Sequence, residues 1–223
     1  MALSVSIVVE DDLSSAIVRR LILYTRRDWT VRLQLPEKLL PGGRDNPRNI
    51  EEVRGLSGFG QIKKRLSAFN HAAQAAPLLV LTDLDIHAPC PGGVWGAWMG
   101  GSARNPNLIF RVAVREVEAW LLADRRNMAD FLAVPVADVT IAPESSADPK
   151  IEIVDLARRS SSQDVVELMV PLPGSSVEVG RSFEMKLRQF VKDSWDIAEA
   201  AKNSNSLTRA VAALQRFTFT PQP

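Results

Sequence analysis

Two apolar runs, each closed by acids, constrain this chain most. Val5 to Val9 is short and β-branched, and it runs straight into Glu10-Asp11-Asp12. Leu78-Leu79-Val80-Leu81 is apolar at every position and ends in Thr82-Asp83-Leu84-Asp85. A strand with no polar alternation belongs to a sheet covered on both faces, hence to a parallel one. A third run, Leu108 to Val114, leads into a helical segment, Arg115 to Asp124, with Glu116 and Glu118 at its start. In an open parallel sheet the carboxyl ends of the strands lie along one edge. Acids far apart in the sequence are therefore expected to meet there.

Between these runs the apolar pattern turns helical. Leu13, Ile17, Val18, Leu21 and Ile22 recur at three- and four-residue spacing, with Asp12 or Ser14 as the expected N-cap. Trp29 to Leu35 alternates as a half-buried strand does, and Pro36 to Arg54 reads as a loop. Helices are predicted over Gln61 to Gln74, around Trp95 and Trp98 after a Pro89 to Gly93 loop, and over Pro149 to Ala157. Phe183 to Val191 and Leu207 to Leu214 read as two further helices joined by a polar stretch, with Pro171 to Gly180 a loop before them. Strand and helix alternate, which predicts an α/β fold: a central, mostly parallel sheet flanked by helices, with a helical C-terminal extension. One domain over residues 1–223 is expected, its core to about residue 125 and its extension from about residue 126.

Carboxylates concentrated at one edge repel each other unless a cation neutralises them. Mg²⁺ and Mn²⁺ prefer oxygen ligands, and Mg²⁺ takes a few carboxylates while keeping several waters. In an extended segment residues i and i+2 point the same way, so Asp83 and Asp85 can share one ion. Glu10, Asp83, Asp85, Glu116 and Glu118 are the candidate ligands. The plainer alternative is that Asp is a common turn residue and cap, and that acids at a helix start suit the helix dipole.

Charge narrows the partners. Lys+Arg number 27 and Asp+Glu 26, so the basic excess of a free-standing nucleic-acid binder is missing. A local phosphate-binding patch from Arg104, Arg111, Arg115, Arg125 and Arg126 stays open, while Arg19, Arg20, Arg26 and Arg27 read as a solvated helix face. With Cys90 the single cysteine there is neither an intramolecular disulfide nor a thiolate zinc cage. No apolar run is long enough to cross a bilayer and no basic leader opens the chain, so a cytoplasmic protein without a membrane partner is expected. No G-x-G-x-x-G or Walker loop follows a strand, which weakens a third alternative, a Rossmann-like nucleotide-binding protein or phosphohydrolase. Trp95, Trp98, Trp120 and Trp195 read as core or as a partner surface, and His87 as a residue packed in its loop.

The order Ile7-Val8-Val9-Glu10, then a helix, then Leu79-Val80-Leu81-Thr82-Asp83-Leu84-Asp85 resembles the Toprim domain of topoisomerases, bacterial primases and overcoming-lysogenization-defect nucleases. The segment Arg115-Glu116-Val117-Glu118-Ala119-Trp120-Leu121-Leu122-Ala123-Asp124 is similar to one in a family of small prokaryotic Toprim-like proteins, as is the tail with Trp195-Asp196 and Ser204-Asn205-Ser206-Leu207-Thr208. Those proteins are often encoded beside an ATPase and associated with defence against phage. The resemblance implies a Toprim (Rossmann-like) fold and a Mg²⁺-dependent (or Mn²⁺-dependent) nuclease. Asp83 and Asp85 hold the ion in that picture, Glu10 acts as ligand or base, and Glu118 with Glu116 holds a second ion. Lys150 would stabilise a phosphorane-like transition state, with a solvated surface lysine as the alternative. Nucleic acid and an ATPase are the implied partners, a homo-oligomer is open, and a non-catalytic Toprim-like partner module is the alternative reading. Two departures stand out. Many Toprim domains have Gly directly after the first Glu, where this chain has Asp11, and the only tyrosine, Tyr24, sits on the inner stretch of a helix, which argues against a topoisomerase.

Overall fold

The computed structural model describes residues 3–32, 59–84 and 90–220. The chain packs as two compact units, residues 1–112 with 210–223, and residues 113–209.

The first unit is built on β1 (Leu3–Val8), β2 (Trp29–Arg32), β3 (Leu78–Asp83) and β4 (Leu108–Ala113). They form one all-parallel sheet in the order β2-β1-β3-β4, flanked by helices, as the strand–helix alternation predicts for an α/β chain. Ser6 pairs with Leu78 and Val8 with Val80, so β3 runs on past the end of β1 to Asp83, alongside the turn that carries Glu10. Leu78 to Leu81 are each at most 3 % exposed, which accounts for their unbroken apolar character. Each such side chain contributes about 1.5–3 kcal/mol by leaving water.

Helix α1 (Asp12–Thr25) connects β1 to β2, α2 (Phe59–Ala72) leads into β3, and α3 (Pro91–Met99) leads into β4. The first connection moves one way across the sheet and the later ones move the other. With right-handed crossovers, α1 covers one face while α2 and α3 cover the opposite one, where they pack side by side. The N-cap of α1 is Asp11, not Asp12 or Ser14: its Oδ1 accepts from the Ser14 amide at 2.7 Å. Asp11 is extended there, the conformation a cap needs. Pro91, Gly92 and Gly93, expected in a loop, form the first turn of α3, because proline at the first helical position gives up an N–H that has no partner in the helix.

The second unit holds α4 (Val117–Leu122), α5 (Arg125–Leu132), α6 (Pro149–Arg158), α7 (Gln163–Met169), α8 (Phe183–Asp193), α9 (Ile197–Asn203) and the start of α10 (Asn205–Arg216), with 3₁₀ turns at Val136–Asp138 and Pro143–Ser145. Its core is Trp120, Trp195, Phe190, Leu121, Leu122 and Met128. The polar stretch expected before the last helix contains α9, a seven-residue helix whose N-cap Asp196 accepts from the amides of Ala198 and Glu199. Gly180 donates its amide to Met169 at 2.9 Å, and a Cβ there would stand 2.5 Å from the Met169 carbonyl carbon, so only glycine fits.

The C-terminal residues return to the first unit. Arg26 Nη1 donates to the carbonyls of Leu214 and Phe217 at 3.4 and 2.7 Å, and Trp29 meets Phe217 edge to face. Asn107 closes the strap by exchanging two hydrogen bonds with the backbone of Thr220, at 2.8 and 3.0 Å. Arg26 therefore caps the last helix and stacks over Trp29 at 4.3 Å, where a solvated arginine was expected.

Candidate functional site

From β1 the chain crosses to one side of the sheet, and from β3 to the other. The crevice between their C-terminal ends is thus a topological switch point, the place where open α/β sheets bind ligands. Glu10 follows β1 by two residues, and Asp83 closes β3. The Glu10 side chain bridges the two: its Oε1 accepts from Thr82 Oγ1 at 2.5 Å and from the Asp83 amide at 3.2 Å. Thr82 is 1 % exposed, whereas Glu10 and Asp83 are half-buried and reach solvent. Asp85 and His87 lie outside the described residues. Among the described residues no group of three or more His, Cys, Asp or Glu that could hold a metal assembles. Glu10 and Asp83 carry oxygen donors of the kind a hard divalent ion takes, though the described bond between them runs through the Asp83 amide.

Asp11, the departure from the usual Gly, commits Oδ1 to the α1 cap. Tyr24 is 45 % exposed, so it lies on the outer face of α1 and not the inner one. Burial is therefore not what argues against a tyrosine nucleophile.

The acids of the second unit meet each other differently. Beyond β4 the backbone turns through Arg115, which has a left-handed φ of 64°, and Glu116 is extended (φ −143°, ψ 164°) before α4 begins. Glu116 thus stands at the N-cap and Glu118 in the first turn. Lys150 Nζ lies 3.9 Å from Glu116 Oε1 and 3.7 Å from Glu118 Oε1. The Lys150 amide also donates to Glu116 Oε2 at 3.3 Å. Glu116 and the N-cap Asp148, which takes the Ile151 amide at 2.9 Å, together serve the start of α6. Side-chain exposure is 5 % for Glu118 and 39 % for Lys150, so a buried carboxylate is matched by a lysine that reaches water.

The two segments that carry the closer family resemblance are bonded to each other. Trp120 Nε1 donates to Ser206 Oγ at 2.7 Å, and Ser206 Oγ donates to Glu144 Oε1 at 2.6 Å. Ser204 Oγ and the Ser206 amide reach the same Glu144 oxygen at 2.6 and 2.7 Å. Trp195 Nε1 donates to the Trp120 carbonyl at 3.3 Å, and Asn203 Nδ2 to that of Ala123 at 3.0 Å. Asp124 is fully buried. Its Oδ2 accepts from the Asp196 amide at 2.7 Å and from Asn127 Nδ2 at 2.8 Å, while Oδ1 has no partner among the described residues. Burial pushes its carboxyl up, and the nearby Asp196 adds to that, against the hydrogen bonds that pull it down. Glu144 is the structural acid of this unit that sequence reading missed. Nothing local marks it, because its partners lie 60 and 62 residues further on.

The other arginines and tryptophans divide. Arg125 donates to the carbonyls of Val139 and Val136 at 3.0 and 3.1 Å, which commits it to holding a turn, while Arg104 is exposed and lies 5.9 Å from the Trp95 ring. Trp120 and Trp195 are core, whereas Trp95 and Trp98 are half-buried with their rings set against Phe110. Among the described residues no helix is long and apolar enough to cross a membrane. Comparison with protein-family models, curated proteins and solved structures returned no match.

Proposed function

We propose that this chain is a Toprim-like, metal-dependent nuclease that hydrolyses phosphodiester bonds of DNA or RNA, acting in the cytoplasm as the effector subunit of an ATPase-containing anti-phage system. The observation that carries the reading is the Glu10 carboxylate at the switch-point crevice, bonded to Thr82 and to the amide of Asp83. Glu10, Asp83 and Asp85 would hold Mg²⁺ or Mn²⁺. The bound ion supplies Lewis-acid polarisation of a phosphoryl oxygen and a water activated for attack. The protein's part is to fix Glu10 and Asp83 on adjacent strand ends, so that ligands from distant parts of the sequence face one crevice. Glu116 and Glu118 are the candidates for a second ion, which requires the Lys150 ammonium to leave them, freeing it to face a substrate phosphate. A nearly balanced charge of +1 suits a subunit that receives its nucleic acid from a partner.

The test is cleavage of plasmid DNA and of RNA in Mg²⁺ and Mn²⁺, with and without the ATPase partner, comparing the natural chain with Asp83→Ala. Metal-dependent cleavage that Asp83→Ala removes supports the proposal. One observation favours a second reading, a Toprim-like partner module without catalysis: Lys150 sits between Glu116 and Glu118, where a second ion would have to bind, and offsets part of their charge. Absence of cleavage under every condition favours that module.

A further inference from the structure

We propose that Thr82 is the positioning residue of the Glu10 carboxylate. The inference rests on the reading that Glu10 and Asp83 face a bound ion, and it names what fixes Glu10 there. Thr82 is 1 % exposed, and a hydroxyl buried that deeply needs a partner. It has a single proton to give. Glu10 Oε1 lies at 2.5 Å and the Asp83 carbonyl at 3.4 Å, so distance assigns that proton to Glu10. The β-branched side chain on β3 has a restricted χ1, which limits the directions the hydroxyl takes. The Asp83 amide, 3.2 Å from the same oxygen, supplies the second point of attachment. Two donors from consecutive residues of β3 thus bind one oxygen of a residue beyond the end of β1. That clamp ties the two strand ends together where the crevice opens, and it pre-sets the carboxylate before any ion arrives.

Thr82→Val keeps the shape of the side chain and deletes the donor, while Thr82→Ser keeps the donor. The full chain carrying each substitution is compared, alone and combined with Glu10→Ala. Hydrogen exchange at the Asp83 amide is read by NMR without metal, Mn²⁺ affinity by electron paramagnetic resonance, and the melting temperature by calorimetry. In Thr82→Val, exchange at Asp83 rises about tenfold and Mn²⁺ affinity falls about tenfold. The melting temperature stays within about 2 °C. Thr82→Ser remains near the natural chain in all three. In the Glu10→Ala background Thr82→Val produces no further rise in exchange, since its effect travels through Glu10. Exchange untouched by Thr82→Val, or raised equally with Glu10 absent, overturns the assignment. A natural chain that binds no Mn²⁺ yet shows the exchange pattern sinks the metal reading and leaves the clamp standing. Binding of Mn²⁺ without the pattern does the reverse.

Discussion

Glu10 and Glu118 are both acids at the end of a strand–turn segment, yet the two units hold them by different chemistry. The donors described for Glu10 are a hydroxyl and an amide, which orient a carboxylate without cancelling its charge. Glu118 sits in the interior beside the Lys150 ammonium, a positive charge it shares with Glu116. The described bonds thus tie Glu10 to β3, whereas Glu118 has a cationic neighbour supplied from within its own unit. Glu144 and Asp124 extend the contrast, since both serve the packing of α4 against the segment that holds α9 and the start of α10. Acids of the second unit are thus expected to matter to stability, and those of the sheet edge to metal binding.

The contrast breaks most readily at Glu144. Glu144→Ala strips the acceptor from the Ser204 and Ser206 hydroxyls and from the Ser206 amide. Denaturant unfolding should show a loss of about 3 kcal/mol, with Mn²⁺ binding at the sheet edge unchanged in the folded fraction. Gly180→Ala forces a Cβ against the backbone of Leu168 and Met169 and should cost about 2–3 kcal/mol, again with metal binding intact. Glu118→Gln sharpens the comparison instead. Paired with a lysine that reaches water, it should cost about 1–2 kcal/mol, and cleavage by the folded protein then separates a structural pair, which leaves the rate unaltered, from a ligand of the second ion. A loss of cleavage of about a hundredfold would move Glu118 to the metal side of the division. Ala133→Gly acts in the opposite direction: Ala133 closes α5 with a left-handed φ of 52°, so the glycine variant should gain about 1 kcal/mol.

The fold raises the Asp124 carboxyl above its ordinary value, chiefly through burial. A group raised on folding contributes stability that is fully present below its unfolded value of about 4 and is lost as pH climbs through the folded value. Asp124→Asn removes the titration. The natural chain should therefore lose stability relative to the variant as pH rises from about 4, measured by urea unfolding across that range. Parallel curves would show that Asp124 does not carry the difference.

The sheet and its acidic ends were legible because the signals are local. Leu78 to Leu81 is apolar throughout since both faces of β3 are covered, and Thr82-Asp83 follows at once. Geometry across strands was not legible. Sequence places Glu10 and Asp83 on one edge but says nothing of Thr82, whose role appears only when β1 and β3 stand side by side. Cap identity slipped by one residue because Asp11 and Asp12 are chemically alike, and backbone conformation alone separates them. Helix α9 was hidden because seven residues give too few turns for a periodic signal. The segments around Trp120 and Ser206 are distinctive as sequence patterns, while their mutual bonding depends on contacts 86 residues apart. Asp85, His87 and the expected Pro36 to Arg54 loop fall outside the described residues.

The most direct measurement is a crystal of the natural chain soaked in Mn²⁺, with the ion located by its anomalous signal and each side chain in its coordination shell identified. The account predicts a peak at the crevice between β1 and β3, with oxygens of Glu10 and Asp83 about 2.0–2.3 Å away. Manganese bound elsewhere, or a crevice that stays empty at saturating metal while Glu10 keeps its bond to Thr82, would contradict it.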